Sequence, residues 1–406
     1  MLAFVALAST FFFQSATAPL SQEQTRQPPL VAISIDGFRW DYLNRPLALR
    51  LRQLAATGAR VDRLIPAFPT KTFPNHYTIV TGLYPEQHGI VANTMIDPAI
   101  PRRFVNSDTA AVSDPAWWGG EPIWVTAIRQ GRRAATMFWP GSEAPIRGVR
   151  PTYWHRFDPR LPSQQRFNRL LAWLDLPSDS SPQLLTLYLN ELDFVAHKAG
   201  PDSPQADSAL GRVDRLIGGF VDSLGARGLA DRINLIVLSD HGITDTPVDR
   251  MIYLDDYLDL TLVDIQDWNP VAAIVPHPGR DDEVYARLAG ANPHLTVYRK
   301  AEVPARFHFR AHPRITPIVA IAEEGWTITS HQRRPATDLG NHGYDNELPS
   351  MAAFLVGTGP GFRPGARIPT LLNVHVYEMM AALLRLTPAP NDGHFDSVRA
   401  LLRPAS

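Results

Sequence analysis

The 406 residues include no cysteine. Disulfides, cysteine-ligated zinc and a sulfatase-type nucleophile made from cysteine are therefore excluded. An excess of one charge is also missing: 39 Lys and Arg against 40 Asp and Glu give a formal net charge of -1 and a pI near 6.9. Such a balance supplies no electrostatic footprint for a nucleic-acid polymer or an anionic membrane. No apolar run approaches the roughly 20 residues needed to cross a bilayer, and internal repeats and low-complexity tracts are absent. What is present is a chain with 45% hydrophobic residues, ample for a core, in one large α/β domain or two average ones. The 37 prolines lie among aromatics and aliphatics, which predicts long rigid loops.

The first residues, MLAFVALASTFFFQSATAPLSQ, read as a leader peptide over 1–18 with small residues at Ala16-Thr17-Ala18 resembling a cleavage site. No Lys or Arg precedes the apolar stretch, and Pro19 would follow the cut. A polar linker is expected over 19–28, followed by one catalytic domain over 29–406. This predicts an exported protein, periplasmic or secreted, without stable membrane insertion.

Short apolar runs then alternate with helical patterns: Leu30 to Ile35, Arg133 to Phe138, Leu184 to Leu189, Ile233 to Leu238 and Ala352 to Val356. Continuous aliphatic runs separated by helices predict a mainly parallel central sheet flanked by helices. The clearest helix spans about Asp207 to Leu224, with Leu210, Val213, Leu216, Ile217, Phe220 and Leu224 on one stripe. From about 245 to 340 the pattern breaks into short β-like pieces such as HLTVYRK and GWTITSH, which predicts a small inserted mixed subdomain.

Chemistry-bearing residues sit at the ends of these runs. Asp36 closes LVAISIDG, Asp193 and His197 share DFVAH, Asp240 and His241 end INLIVLSDHG, and His342 lies in GNHGYDN. Ligands in open parallel sheets bind beyond the carboxyl ends of the strands, where Asp36, Asp193 and Asp240 fall. Three aspartates and three histidines make two three-residue ligand sets, and Thr72 in PTKTFPNHY is left over to bridge substrate and metal. That is the pattern of a paired-metal phosphoryl-transfer site. Thr72 precedes Phe73 and Pro74, so it is expected at a helix start, where backbone N–H groups favour an alkoxide and a phosphate. His76, His88, His308 and His375 are read as bystanders.

The stretch FPTKTFPNHYTIVTGLYPEQHGIVAN, Phe68 to Asn93, resembles the nucleophile segment of the nucleotide pyrophosphatase/phosphodiesterases of the alkaline phosphatase superfamily. DFVAHKAGPDS, LSDHGITDTPVDRMIYLDDY and GNHGYDN resemble that family's later metal-binding segments in the same order, so the likeness runs from about Leu30 to Phe362. Ala196 and Leu192 depart from the glycine and proline frequent there. The resemblance implies an alkaline phosphatase-like fold and two zinc ions, one held by Asp36, Asp240 and His241 and touching Thr72, the other by Asp193, His197 and His342. It implies that Thr72 is the nucleophile, that Asn93 helps hold a phosphate oxygen, and that Phe73 and Tyr153 are an aromatic pair around a nucleobase. The expected activity is hydrolysis of nucleotide phosphodiester or pyrophosphate bonds to nucleoside 5′-monophosphates through a covalent threonine intermediate. The alternatives are a hydrolase of the same superfamily acting on phospholipid head groups, phosphonoacetate or phosphate monoesters, and a non-enzymatic nucleotide- or metal-binding protein, disfavoured because the ligand sets and the threonine are complete. The expected partner is a small phosphodiester, with no nucleic-acid polymer and no protein partner inferred.

Overall fold

Leu30–Ile35, Leu184–Leu189 and Asn234–Leu238 are buried at every position. A strand covered on both faces needs a layer of helices above and below it, and these three segments lie side by side at the centre of a sheet. The structure, a computed structural model, describes residues 27–333 and 337–404. The expected leader over 1–18 and residues 19–26 of the expected linker lie outside the described residues.

In chain order the central sheet contains β1 (Leu30–Ile35), β2 (Ala59–Ile65), β3 (Ala134–Met137), β4 (Tyr153–His155), β5 (Leu184–Leu189), β6 (Asn234–Leu238), β7 (Ala353–Thr358) and β8 (Arg367–Leu372). Their spatial order is β8-β2-β7-β6-β1-β5-β3-β4. Ile33 of β1 lies opposite Leu187 of β5 and Val237 of β6, all three strands running parallel. Only β7 runs the other way, antiparallel to β2 and β6. This is the mainly parallel, helix-flanked α/β sheet that the apolar runs predict.

Alternate residues of β1 feed two cores. Leu30 and Ala32 face one that includes Tyr77, Ile79 and Val80 of helix α1 (Thr72–Thr81). Val31, Ile33 and Ile35 face the other, with α2 (Glu191–Ala199) and the long α3 (Pro204–Ala226). Leu210, Val213, Ile217, Phe220 and Leu224 of α3 are all buried there. Ser203 starts α3 as its N-cap, accepting a hydrogen bond from the Ala206 N–H, with Pro204 in the first turn.

Between residues 245 and 340 lies a four-stranded antiparallel sheet ordered Val263–Asp267, Val271–Pro276, Ile318–Ala322, Leu295–Arg299. A parallel pair, Met251–Tyr253 with Thr327–Thr329, accompanies it. HLTVYRK and GWTITSH supply Leu295–Arg299 and Thr327–Thr329. Two buried contacts fix this sheet to the segments around Thr72. The Lys71 ammonium lies 2.5 Å from Asp267, and Arg314 pairs with Asp97 at 2.6 Å while donating to the carbonyls of Gly89 and Trp117. Among the described residues no helix is long and apolar enough to cross a membrane.

Candidate active site

The carboxyl ends of β5, β1 and β6 converge on one point. Asp36 follows β1 directly, and its N–H donates to Leu189 O at the end of β5. Asp193 and His197 lie four apart on α2, the helix that leaves β5, so one helical face carries both. Asp240 and His241 follow β6. His342 comes from the distant segment after Gly340–Asn341 and is held where its Nδ1 meets Thr70 O at 2.7 Å.

Two donor groups result, Asp36 with Asp240 and His241, and Asp193 with His197 and His342. In each, the candidate ligand atoms lie within 4.8 Å of one another. His241 Nε2 is 3.4 Å from Asp36 and 3.0 Å from Asp240, and His197 Nε2 is 3.4 Å from Asp193. The groups adjoin each other: the rings of His241 and His342 stack at 3.6 Å. Thr72 Oγ1 lies 3.3 Å from His241 Nε2.

The donor chemistry fits divalent cations. Each histidine has its Nδ1 against a backbone carbonyl, His197 at Gly340 O, His241 at Gly242 O and His342 at Thr70 O. That contact fixes the tautomer and turns the Nε2 lone pair inward, the usual second contact of a metal-bound histidine. Asp36 Oδ1, Asp193 Oδ1 and Asp240 Oδ2 are buried without a hydrogen-bond partner, a costly state unless a cation faces them. Burial, then the neighbouring charges of Asp240 and Asp193, pushes the Asp36 carboxyl well above the usual carboxylate range. Burial opposes ionisation of Asp240 too, but His241 and His76 hold its carboxyl well below that range. His342 is pushed down, by burial and then by His241 and His197, so it is neutral and ready to donate a lone pair.

Thr72 opens α1, two residues earlier than a proline at the first helical position implies. Phe73 N–H donates to Asn93 Oδ1 at 3.0 Å. This fixes the amide and turns its NH2 away from Phe73. Thr72, Phe73, Asn93, Asp36, Asp193, His197 and His342 all line one cavity of about 640 Å³.

Tyr153 is a correction. It does not line this cavity: its ring stacks beside Trp173 and its hydroxyl donates to Ser180 O. As part of β4, at the sheet edge, it belongs to the sheet. Phe157, four residues on and past the end of that strand, reaches the cavity wall instead. His76 is a second correction, for it is no bystander. It is fully buried, with Nδ1 2.9 Å from Thr72 O and 3.1 Å from Asp240, and Nε2 2.8 Å from Ser34 Oγ. A histidine four residues after Thr72 on a helix shares its face, and that spacing was readable. Tyr188 was also missed; its hydroxyl lies 2.5 Å from Asp36 Oδ2.

Gly37 makes the approach of α2 possible. Its φ is +67°, and a Cβ there would stand 2.7 Å from Asp193 Oδ1. Gly37→Ala is expected to cost at least about 1–2 kcal/mol in the left-handed backbone alone and to displace Asp193. Thermal unfolding with and without added divalent ion measures both: the melting temperature should fall and the ion should restore less of it than in the parent. Unaltered melting in both conditions would show that the site tolerates the methyl group.

A mainly parallel α/β sheet carrying two adjoining carboxylate–histidine groups and a helix-terminal threonine defines a metal-dependent phosphoryl-transfer hydrolase. Residues 30–345 match the type I phosphodiesterase / nucleotide pyrophosphatase family, and the chain belongs to it. It is 41% identical over 380 residues to human bis(5′-adenosyl)-triphosphatase ENPP4, covering 92% of this chain and 82% of that one. It is 38% identical over 389 residues to the venom phosphodiesterase CdcPDE of Crotalus durissus collilineatus, covering 93% of this chain and 47% of that one. Among solved structures, murine ectonucleotide pyrophosphatase/phosphodiesterase 5 superposes with a TM-score of 0.89 at 39% identity, covering 92% of this chain and 100% of that one. The same murine protein, inactivated by replacing a threonine with alanine, matches in complex with AMP at 38% identity and a TM-score of 0.89, covering 93% of this chain and 100% of that one. The chain is an enzyme of this phosphodiesterase and pyrophosphatase class.

Proposed function

We propose that the protein hydrolyses nucleotide phosphodiester or pyrophosphate bonds and releases nucleoside 5′-monophosphates, with Thr72 as the covalent nucleophile. The observation that carries this reading is Thr72 Oγ1 at the start of a helix, 3.3 Å from His241 Nε2 and beside both donor groups. Asp36, Asp240 and His241 would hold one zinc ion and Asp193, His197 and His342 the other, with Thr72 a further ligand of the first. Bound there, the ions would supply Lewis-acid polarisation of the phosphoryl oxygens, a lowered pKa for hydroxyl and water, and neutralisation of the leaving oxygen.

The rest is the work of the chain. Thr72 Oγ1, its proton lost to solvent, forms a bond to the α-phosphorus as the bond to the leaving oxygen breaks on the opposite side. Water then adds to the same phosphorus, the Thr72 bond breaks, and the threonine regains a proton. Asn93, its Oδ1 held by the Phe73 N–H, offers its NH2 to a non-bridging oxygen, a contact worth about 10² to 10³ in rate at comparable sites. His76 is a positioning residue, tying Thr72's helix to Asp240. Phe73 and Phe157 offer apolar faces on the cavity wall for the nucleobase. The expected setting is outside the cytoplasm.

The test compares kcat/KM for a nucleotide 4-nitrophenyl diester, a bare bis-aryl phosphate, an aryl phosphocholine and an aryl phosphate monoester. Stacking a base on an aromatic face contributes about 1–3 kcal/mol, so the nucleotide should exceed the bare diester by roughly tenfold or more, with purine and pyrimidine differing little. Phe73→Ala should narrow that advantage. A better rate on the phosphocholine ester or the bare diester would hand the same site to the phospholipid-directed reading.

A further inference from the structure

Lys71 precedes Thr72 as the N-cap residue of α1, with an extended backbone. Thr72, Phe73 and Asn93 line the cavity of the donor groups, whereas Lys71, Ala92 and Thr94 line a second, small cavity of about 20 Å³ that Asp267 and Arg314 also border. The segments that carry Thr72 and Asn93 therefore form a wall with two sides. One side faces the donor groups, and the small antiparallel sheet between residues 245 and 340 lies against the other. The Lys71 ammonium lies 2.5 Å from Asp267 Oδ2, the two side chains being 6% and 18% exposed. The other oxygen of Asp267 accepts the Trp268 N–H at 2.9 Å, so the carboxylate is pinned. In its pairing with Val271–Pro276, strand Val263–Asp267 takes up one extra residue between Ile265 and Asp267. Such a bulge re-aims the side chain beside it. Gln266, at the bulge, accepts the Ile96 N–H, and Arg314 pairs with Asp97 while donating to Gly89 O, so the segment of Asn93 is gripped on both sides of that residue.

An apolar pair of similar volume serves stability as well as a buried ion pair does. What the ions add here is a fixed distance between the sheet and the residue before Thr72. Thr70 extends the constraint to the second donor group, since its carbonyl meets His342 Nδ1 and its hydroxyl accepts the Gly343 N–H at 2.8 Å. We propose that Asp267, acting through Lys71, is a positioning residue that sets where Thr72 Oγ1 stands relative to the two donor groups, so that the antiparallel sheet braces the nucleophile from behind. This rests on the role given to Thr72 above and is indifferent to the substrate. Loss of the brace costs alignment and not binding, because a displacement of about 1 Å at a reacting group can cost about 10² in rate.

The experiment uses the whole metal-loaded enzyme and the 4-nitrophenyl ester of thymidine 5′-monophosphate. Lys71→Met and Asp267→Leu should each lower kcat by about tenfold to a hundredfold, with KM within about threefold of the parent and metal content unchanged. Each also leaves one charge buried without its partner, so the melting temperature should fall. The double variant, Lys71→Met with Asp267→Leu, separates alignment from stability: its melting temperature should return toward the parent's while kcat stays about tenfold or more below it. Recovery of kcat along with the melting temperature, or single variants that keep kcat within about twofold, would overturn the brace and leave Thr72 as the nucleophile. Where a neutral variant does not fold, Asp267→Glu keeps the charge and moves it by one methylene; kcat should fall by about threefold or more at the parent's KM, and a parent-like kcat would overturn the brace as well. Full activity of Thr72→Ala would instead overturn the reading on which the brace rests.

Discussion

Thr72→Ala is expected to abolish turnover by a factor of about 10⁴ or more while the protein folds, melts and retains metal close to the parent. The substitution removes the attacking oxygen and leaves Asp36, Asp240 and His241 in place. Thr72 stands at the first position of α1, where the Phe73 N–H donates to the Asn93 side-chain Oδ1 in a hydrogen bond that does not involve the Thr72 side chain. A loss of this size is in keeping with single nucleophile deletions elsewhere, which cost about 10⁶. Thr72→Ser should keep measurable activity because it restores a hydroxyl at the same Cβ. Residual activity above roughly a tenth of the parent in the alanine variant would move the covalent role to another residue. Steady-state rates on a nucleotide 4-nitrophenyl diester, with circular dichroism as the folding control, measure both sides.

Removal of metal should be the other large effect. Three aspartates meet within the two donor groups, and one oxygen of each is buried without a hydrogen-bond partner. Chelation should abolish activity, lower the melting temperature through loss of a ligand bound only by the folded state, and be reversed by zinc. Elemental analysis of active enzyme should give close to two ions per chain. Asp240→Asn should reproduce the chelated state irreversibly, because it weakens a donor that His76 and His241 both contact. One ion per chain in fully active enzyme, or activity that survives exhaustive chelation, would contradict the paired site.

The residues that could be located from the sequence share a physical reason. β1 and β5 were legible to the residue because burial on both faces leaves only apolar side chains, and Asp36 and Asp240 stood out as the carboxylates closing such runs. α3 was legible from its apolar stripe, although Ser203 and Pro204 extend it beyond Asp207. β2, with the sequence ARVDRLI, and β8, with RIPTLL, were not, because the less buried positions carry arginine and aspartate in β2 and arginine, proline and threonine in β8, which break an apolar run. The reversed direction of β7 leaves no mark in periodicity, since a buried strand reads alike either way. Tyr153 lies off the cavity for a related reason: Phe157 follows it by four positions, just past the end of β4, and no repeat spacing tells which aromatic turns toward the cavity. A single histidine carries no signal of its own, and the role of His76 shows only in its place one turn after Thr72, on the same helical face.

Stereochemistry at phosphorus tests the covalent account most directly. Each in-line displacement inverts configuration, so attack by Thr72 followed by attack of water gives two inversions. Hydrolysis in ¹⁸O-enriched water of a single diastereomer of a nucleotide aryl ester, carrying sulfur in place of one non-bridging oxygen, should yield the nucleoside phosphorothioate with net retention. Net inversion would mean that water attacks the diester in a single step, and would contradict a covalent nucleotidyl-Thr72.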